Sequence, residues 1–214
     1  MLQKLVQRPR VASENPPLLV LLHGLGADEQ DLMGLAPELD PRLLIVSLRA
    51  PRRCEYGGFA WFDVSWDAEG VHVDEAQALE CRAILLEALD GLPNELGVQP
   101  SQTFIGGFSQ GAMMSLGVGL AIPERLNGVL LLSGRLLPTF APVVQVGAIA
   151  QVPFLVQHGS VDPVLPVEGS RQIRSYLESL GCPVTYCEYT MGHEISRQSL
   201  DDASTWLTEQ IIGS

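Results

Sequence analysis

The stretch Phe104-Ile105-Gly106-Gly107-Phe108-Ser109-Gln110-Gly111-Ala112 leaves this chain few ways to fold. Ahead of it, Gln102–Ile105 reads as a short apolar strand. Behind it, Ala112–Ala121 reads as an apolar helix. The pattern Gly-x-Ser-x-Gly fills the junction, where a nucleophile elbow belongs. Strand and helix can close on each other this sharply only where side chains are missing, and Gly107 and Gly111 supply that. The serine then stands clear of the backbone at the start of a helix. The N–H groups and dipole of that helix favour negative charge.

The other segments alternate in the same way. Residues 2–8 read as an edge strand. Leu18–Leu22 and Leu43–Leu48 are all but continuously apolar, as strands covered on both faces are. Leu126–Ser133, Pro153–His158 and Val184–Tyr189 complete the strands. Helices are expected near Asp31–Leu39, over Val73–Leu92 with Gly91-Leu92-Pro93 as the stop, over Val167–Leu180, and from Ile195 to Ile211. Residues 49–71 and 134–151 show no clear period. Strand and helix in alternation imply an α/β fold, a mostly parallel central sheet with helices on both faces, and one domain over residues 1–214. Ligands of such sheets bind beyond the carboxyl ends of the strands.

Composition narrows the partners. The formal charge is −12, and only Lys4 among the 13 basic residues is a lysine. With no basic run, neither nucleic acid nor an anionic membrane surface is expected as a partner. Cys54, Cys81, Cys182 and Cys187 form no CxxC pair and accompany no His-x-x-x-His, so no metal site is expected. Free thiols fit a reducing compartment. No apolar run reaches signal-peptide or membrane-span length, so a cytoplasmic protein without integral membrane association is expected.

A serine hydroxyl needs a base to act as a nucleophile near neutral pH. The candidates are His23, His72, His158 and His193. His193 is preferred, in a loop between the last strand and the last helix. His23 and His158 each end a strand just before a glycine and read as structural; His72 reads as an exposed residue at a helix start. The base in turn needs a carboxylate to fix its tautomer. Asp162, in the loop after strand 153–158, is the choice over Glu168 and Asp201, which read as solvated helix residues. The order Ser109, Asp162, His193 is the order used by α/β-hydrolases. The expected oxyanion donors are the backbone N–H groups of Gln110 and of Leu25, the latter in the loop His23-Gly24-Leu25-Gly26.

These motifs resemble the phospholipase/carboxylesterase family of bacterial carboxylesterases and acyl-protein thioesterases. The resemblance rests on His23–Ala27, Trp61-Phe62-Asp63, Gly106–Ala112, His158–Pro166 and Gly192-His193-Glu194, and it covers nearly the whole chain. It implies the α/β-hydrolase fold, the triad Ser109, Asp162 and His193, and the oxyanion hole Leu25 and Gln110. It also implies no cofactor, a small-molecule ester substrate of short to medium acyl chain, and a homodimer in some members. Five of the 13 aromatic residues fall between Tyr56 and Trp66. Trp61, covered by a family motif, is the expected wall of the substrate pocket. Phe62 and Trp66 read equally as core. Val164 and Leu165, just past the acid, are expected to line the other side. Arg52 and Arg53 read as a solvated loop. The loop Pro51–Ala60 departs from the acyl-protein thioesterase pattern, so the reaction class is sharper than the substrate class. A serine carboxylesterase is the leading reading. A lysophospholipase or acyl-protein thioesterase is the alternative within the enzyme class, and a non-catalytic hydrolase-fold binding protein the alternative outside it.

Overall fold

The structure, a computed structural model, describes residues 2–55, 57–67, 70–143 and 146–213. The strands are β1 (Lys4–Gln7), β2 (Leu18–Leu22), β3 (Leu44–Leu48), β4 (Arg52–Arg53), β5 (Phe59–Ala60), β6 (Val64–Asp67), β7 (Gly70–Val73), β8 (Thr103–Phe108), β9 (Gly128–Leu132), β10 (Phe154–Gly159) and β11 (Val184–Tyr189). The helices are α1 (Glu75–Leu96), α2 (Gln110–Ala121), α3 (Val146–Ile149), α4 (Glu168–Ser179) and α5 (Arg197–Ile212).

Seven strands form one sheet in the order β1-β3-β2-β8-β9-β10-β11. Only the pairing of β1 with β3 is antiparallel; the others are parallel. The apolar strands point alternate residues to opposite faces, and both faces are covered. Leu18, Val20 and Leu22 join a core with residues of α1, α2 and α4. Leu19 and Leu21 face a second core built with the 3-10 helix Leu32–Glu38 and with Ala203, Trp206 and Leu207 of α5.

The chain runs outward from β2 to β3, then crosses back to place β8 on the other side of β2. The loops leaving β2 and β8 therefore part in opposite directions. That opens a crevice at the carboxyl ends of these two strands, where His23–Gly26 and Ser109 lie.

Two expectations need correction. Helix α1 does not stop at Pro93. The ring forgoes one backbone bond late in the helix, and the helix runs on to Leu96. Gly97 ends it in the left-handed region, its N–H donating to the Asn94 carbonyl. The aperiodic stretch 49–71, continued to Val73 where the helix was expected to begin, holds two short antiparallel ribbons, β4 with β5 and β6 with β7. Among the described residues no helix is long and apolar enough to cross a membrane.

Candidate active site

Ser109 closes β8 and caps α2 with φ 56° and ψ −115°, a conformation that L residues rarely hold. The surroundings enforce it. A Cβ on Gly107 would come 2.4 Å from the backbone of Gly111, and one on Gly111 would come 1.8 Å from the Leu22 carbonyl oxygen. Strand, elbow and helix thus meet backbone to backbone. The Ser109 N–H donates to the Leu132 carbonyl at 2.9 Å, fastening the elbow to β9. Its side chain is left to point into the crevice.

His193 Nε2 lies 2.9 Å from Ser109 Oγ, and His193 Nδ1 lies 2.6 Å from Asp162 Oδ2. A carboxylate only accepts, so Nδ1 carries the hydrogen and Nε2 is left to accept from the serine. The imidazole also packs on the Phe108 ring, centroids 4.8 Å apart. Asp162 Oδ1 accepts the N–H groups of Val164 at 2.8 Å and Leu165 at 2.9 Å. The carboxylate is fully buried. Burial alone would raise its pKa; the His193 hydrogen bond and the two backbone donors outweigh that and hold it below the usual range.

The loop after β2 runs beside the serine: a Cβ on Gly24 would touch Ser109 Cβ at 3.5 Å. Buried His23 shapes this loop. Its Nε2 accepts the Ala50 N–H at 3.0 Å, which leaves Nδ1–H to donate to the Gly24 carbonyl at 2.7 Å. Burial lowers the His23 pKa, against the pull of nearby acidic groups. Gln110 begins α2, so its N–H is one of the helix donors without a partner in the turn before. Its side chain clamps the neighbouring segment, accepting the Trp61 N–H at 3.1 Å and donating to the Phe62 carbonyl at 2.8 Å. The same loop is bridged to β5. Gly26 N–H donates to the Phe59 carbonyl and Phe59 N–H to the Ala27 carbonyl, both at 2.9 Å. Gly58, at φ +66°, lies so close that a Cβ would fall 1.9 Å from the Gly26 oxygen. Arg49 spans the junction, bidentate on buried Glu29 and stacked 4.4 Å from the Phe59 ring centre.

The pocket residues divide. Leu25 lines a 530 Å³ groove with Arg53, Cys54, Ala60, Asp63 and Val64. Val164 is exposed on the turn that follows Asp162, and Leu165 is half-buried behind it. Trp61 is no pocket wall. Its ring is fully buried, because its indole N–H finds an acceptor inside, the His23 carbonyl at 2.9 Å. Phe62 is core; Tyr56 and the side chain of Trp66 lie outside the described residues. Glu168 and Asp201 stay at the surface in ion pairs with Arg171 and Arg197. His72 is exposed in β7, ahead of α1 rather than on it. Arg52 pairs with Glu80. Sequence reasoning misses the side-chain clamp of Gln110; the structural reading of His158 agrees with the contact of its Nε2 with the Leu165 carbonyl at 2.8 Å.

Relatives of known name share this frame. An acyl-protein thioesterase 1 of Eremothecium gossypii is 32% identical over 92% of this chain and 91% of its own length. A second, from Gibberella zeae, is 38% identical, but the match spans only 54% of this chain and 51% of that protein. The crystal structure of esterase PE8 superposes with a TM-score of 0.83 at 30% identity, covering 97% of this chain and 98% of that one. The fold is the α/β-hydrolase fold. A sequence model of the phospholipase/carboxylesterase group matches residues 4–211. With that match running nearly end to end over a serine elbow on a parallel sheet, the chain belongs to the phospholipase/carboxylesterase family of hydrolases.

Proposed function

We propose that the protein is a serine carboxylesterase, a single α/β-hydrolase domain that cleaves carboxylic esters of short to medium acyl chain through an acyl-enzyme. One observation carries the reading: the unbroken run from Ser109 Oγ to His193 Nε2 at 2.9 Å and from His193 Nδ1 to Asp162 Oδ2 at 2.6 Å. Ser109 attacks the ester carbonyl while His193 takes its proton, and Asp162 stabilises the imidazolium. The backbone N–H groups of Leu25 and Gln110 receive the oxyanion. His193 returns the proton to the leaving alcohol, then activates water to release the acid and free Ser109. The groove beside Leu25 supports a short or medium chain, since Arg53, Glu55 and Asp63 place charge along it. The names of the relatives favour a second reading, an acyl-protein thioesterase. Turnover of p-nitrophenyl esters of increasing length, beside a palmitoyl thioester peptide, ranks the two.

Ser109→Ala is expected to lower kcat for p-nitrophenyl acetate by roughly 10³-fold or more. A fluorophosphonate is expected to label the wild type at Ser109 and to leave the variant unlabelled. A wild type that neither turns over esters nor takes the label would instead be a hydrolase-fold binding protein.

A further inference from the structure

His158 is the last residue but one of β10 and is fully buried. Its Nε2 lies 2.8 Å from the Leu165 carbonyl, which only accepts, so this nitrogen carries the ring hydrogen. The same nitrogen lies 3.3 Å from Asp162 Oδ2, with both side chains out of solvent. Nδ1 is buried and has no partner among the described residues. Glu188, the residue paired with His158 across β11, is turned to Arg171 and Tyr186. The groups that His158 serves are therefore on the acid turn.

The peptide of Leu165 is gripped at both ends. Its N–H is held by Asp162 Oδ1 and its carbonyl by His158. With Oδ1 committed to two N–H groups, Oδ2 alone meets His193. We propose that His158 is a positioning residue: by tethering the Leu165 carbonyl it fixes the turn that aims Asp162 Oδ2 at His193. The proposal rests on the triad reading above. Without the tether the Leu165 carbonyl loses its buried donor, the turn is free to rotate, and Oδ2 leaves its line with Nδ1.

Three variants test this. His158→Leu and His158→Asn lack a donor at the Nε2 position, while His158→Gln keeps an N–H there. In the Leu and Asn variants kcat on a p-nitrophenyl ester is expected to fall about tenfold, with KM changing less than about twofold. His158→Gln is expected to recover most of that loss. The far-downfield proton resonance of the His193 Nδ1–H bonded to Asp162 should shift or vanish in the first two and persist in the third. Placed on Asp162→Asn, the Leu and Asn changes should add less than about twofold, because they act through that carboxylate. Folded Leu and Asn variants with wild-type kcat and resonance would overturn the proposal, as would a loss that adds in full to Asp162→Asn. If neither folds, His158→Gln decides: retained kcat and resonance support the tether, and their loss refutes it. Ser109→Ala run alongside keeps the two claims apart. An active Ser109→Ala sinks the triad reading and the tether with it. A dead Ser109→Ala beside unaffected His158 variants sinks the tether alone.

Discussion

At the acid turn a single carboxylate takes two backbone N–H groups on one oxygen and the His193 imidazole on the other. Asp40 shows the same economy in a structural place. Its oxygens take the Arg42 guanidinium at 2.9 and 2.6 Å and the Arg42 N–H at 2.9 Å. Thr208 of α5 adds a hydroxyl at 3.2 Å. The Arg42 hydrogen bonds, chiefly, hold the Asp40 pKa down at about 2. A depressed carboxyl pKa stabilises the fold above its unfolded value, and that contribution is lost as pH falls through the folded one. Asp40→Asn is expected to cost about 1–2 kcal/mol at pH 7, after discounting for the exposure of Arg42. Urea midpoints measured from pH 7 to pH 2 should show the gap between variant and wild type closing below about pH 4. A gap that stays constant with pH would mean that the carboxylate charge is not the cause.

Elements here are held by what their glycines permit. Gly111 has no room for a methyl, with the Leu22 oxygen 1.8 Å from the added Cβ. Gly91, in α1, is exposed and would meet nothing within 4 Å. Gly111→Ala is therefore expected to destabilise by roughly 3 kcal/mol or more. Gly91→Ala is expected to stabilise by about 0.5–1 kcal/mol, because it narrows the unfolded ensemble at no steric cost. Thermal or urea unfolding of the two variants checks both signs. The same contrast explains what could be read from the sequence. The sheet was legible because all-apolar strands and the glycine-flanked serine are local patterns. Ser109, Asp162 and His193 were legible as loop residues in a fixed order, and the structure brings them within hydrogen-bonding distance. The burial of Trp61 was not legible, since it depends on a carbonyl 38 residues away. Neither was the Gln110 clamp, whose acceptor and donor come from residues 48 and 49 positions distant. The ribbons of β4 to β7 have strands of two to four residues, too short to carry a period.

Over the whole molecule, 25 acidic residues face 13 basic ones. Ion pairs such as Arg174 with Glu178 are solvent-exposed and worth little, so net self-repulsion is the larger surface term. Raising NaCl from about 10 to about 200 mM is expected to lift the unfolding midpoint by about 2–4 °C. A falling midpoint in scanning calorimetry would put the exposed ion pairs ahead of the repulsion. The sheet's crossover at β2 and β8 gathers the crevice at one end of the molecule, where the loop after β2 and the β4–β5 ribbon meet. The bridge between Ala27 and Phe59, closed by Gly26 against Gly58, joins these two segments into one piece. Residues 24–27 and 52–60 are therefore a single exchangeable cassette. A ribbon transplanted from a relative to change what the enzyme accepts has to bring its own partner loop. Otherwise the mismatch passes through Gly26 to Leu25, the oxyanion donor proposed above, and on that proposal selectivity cannot be tuned apart from rate.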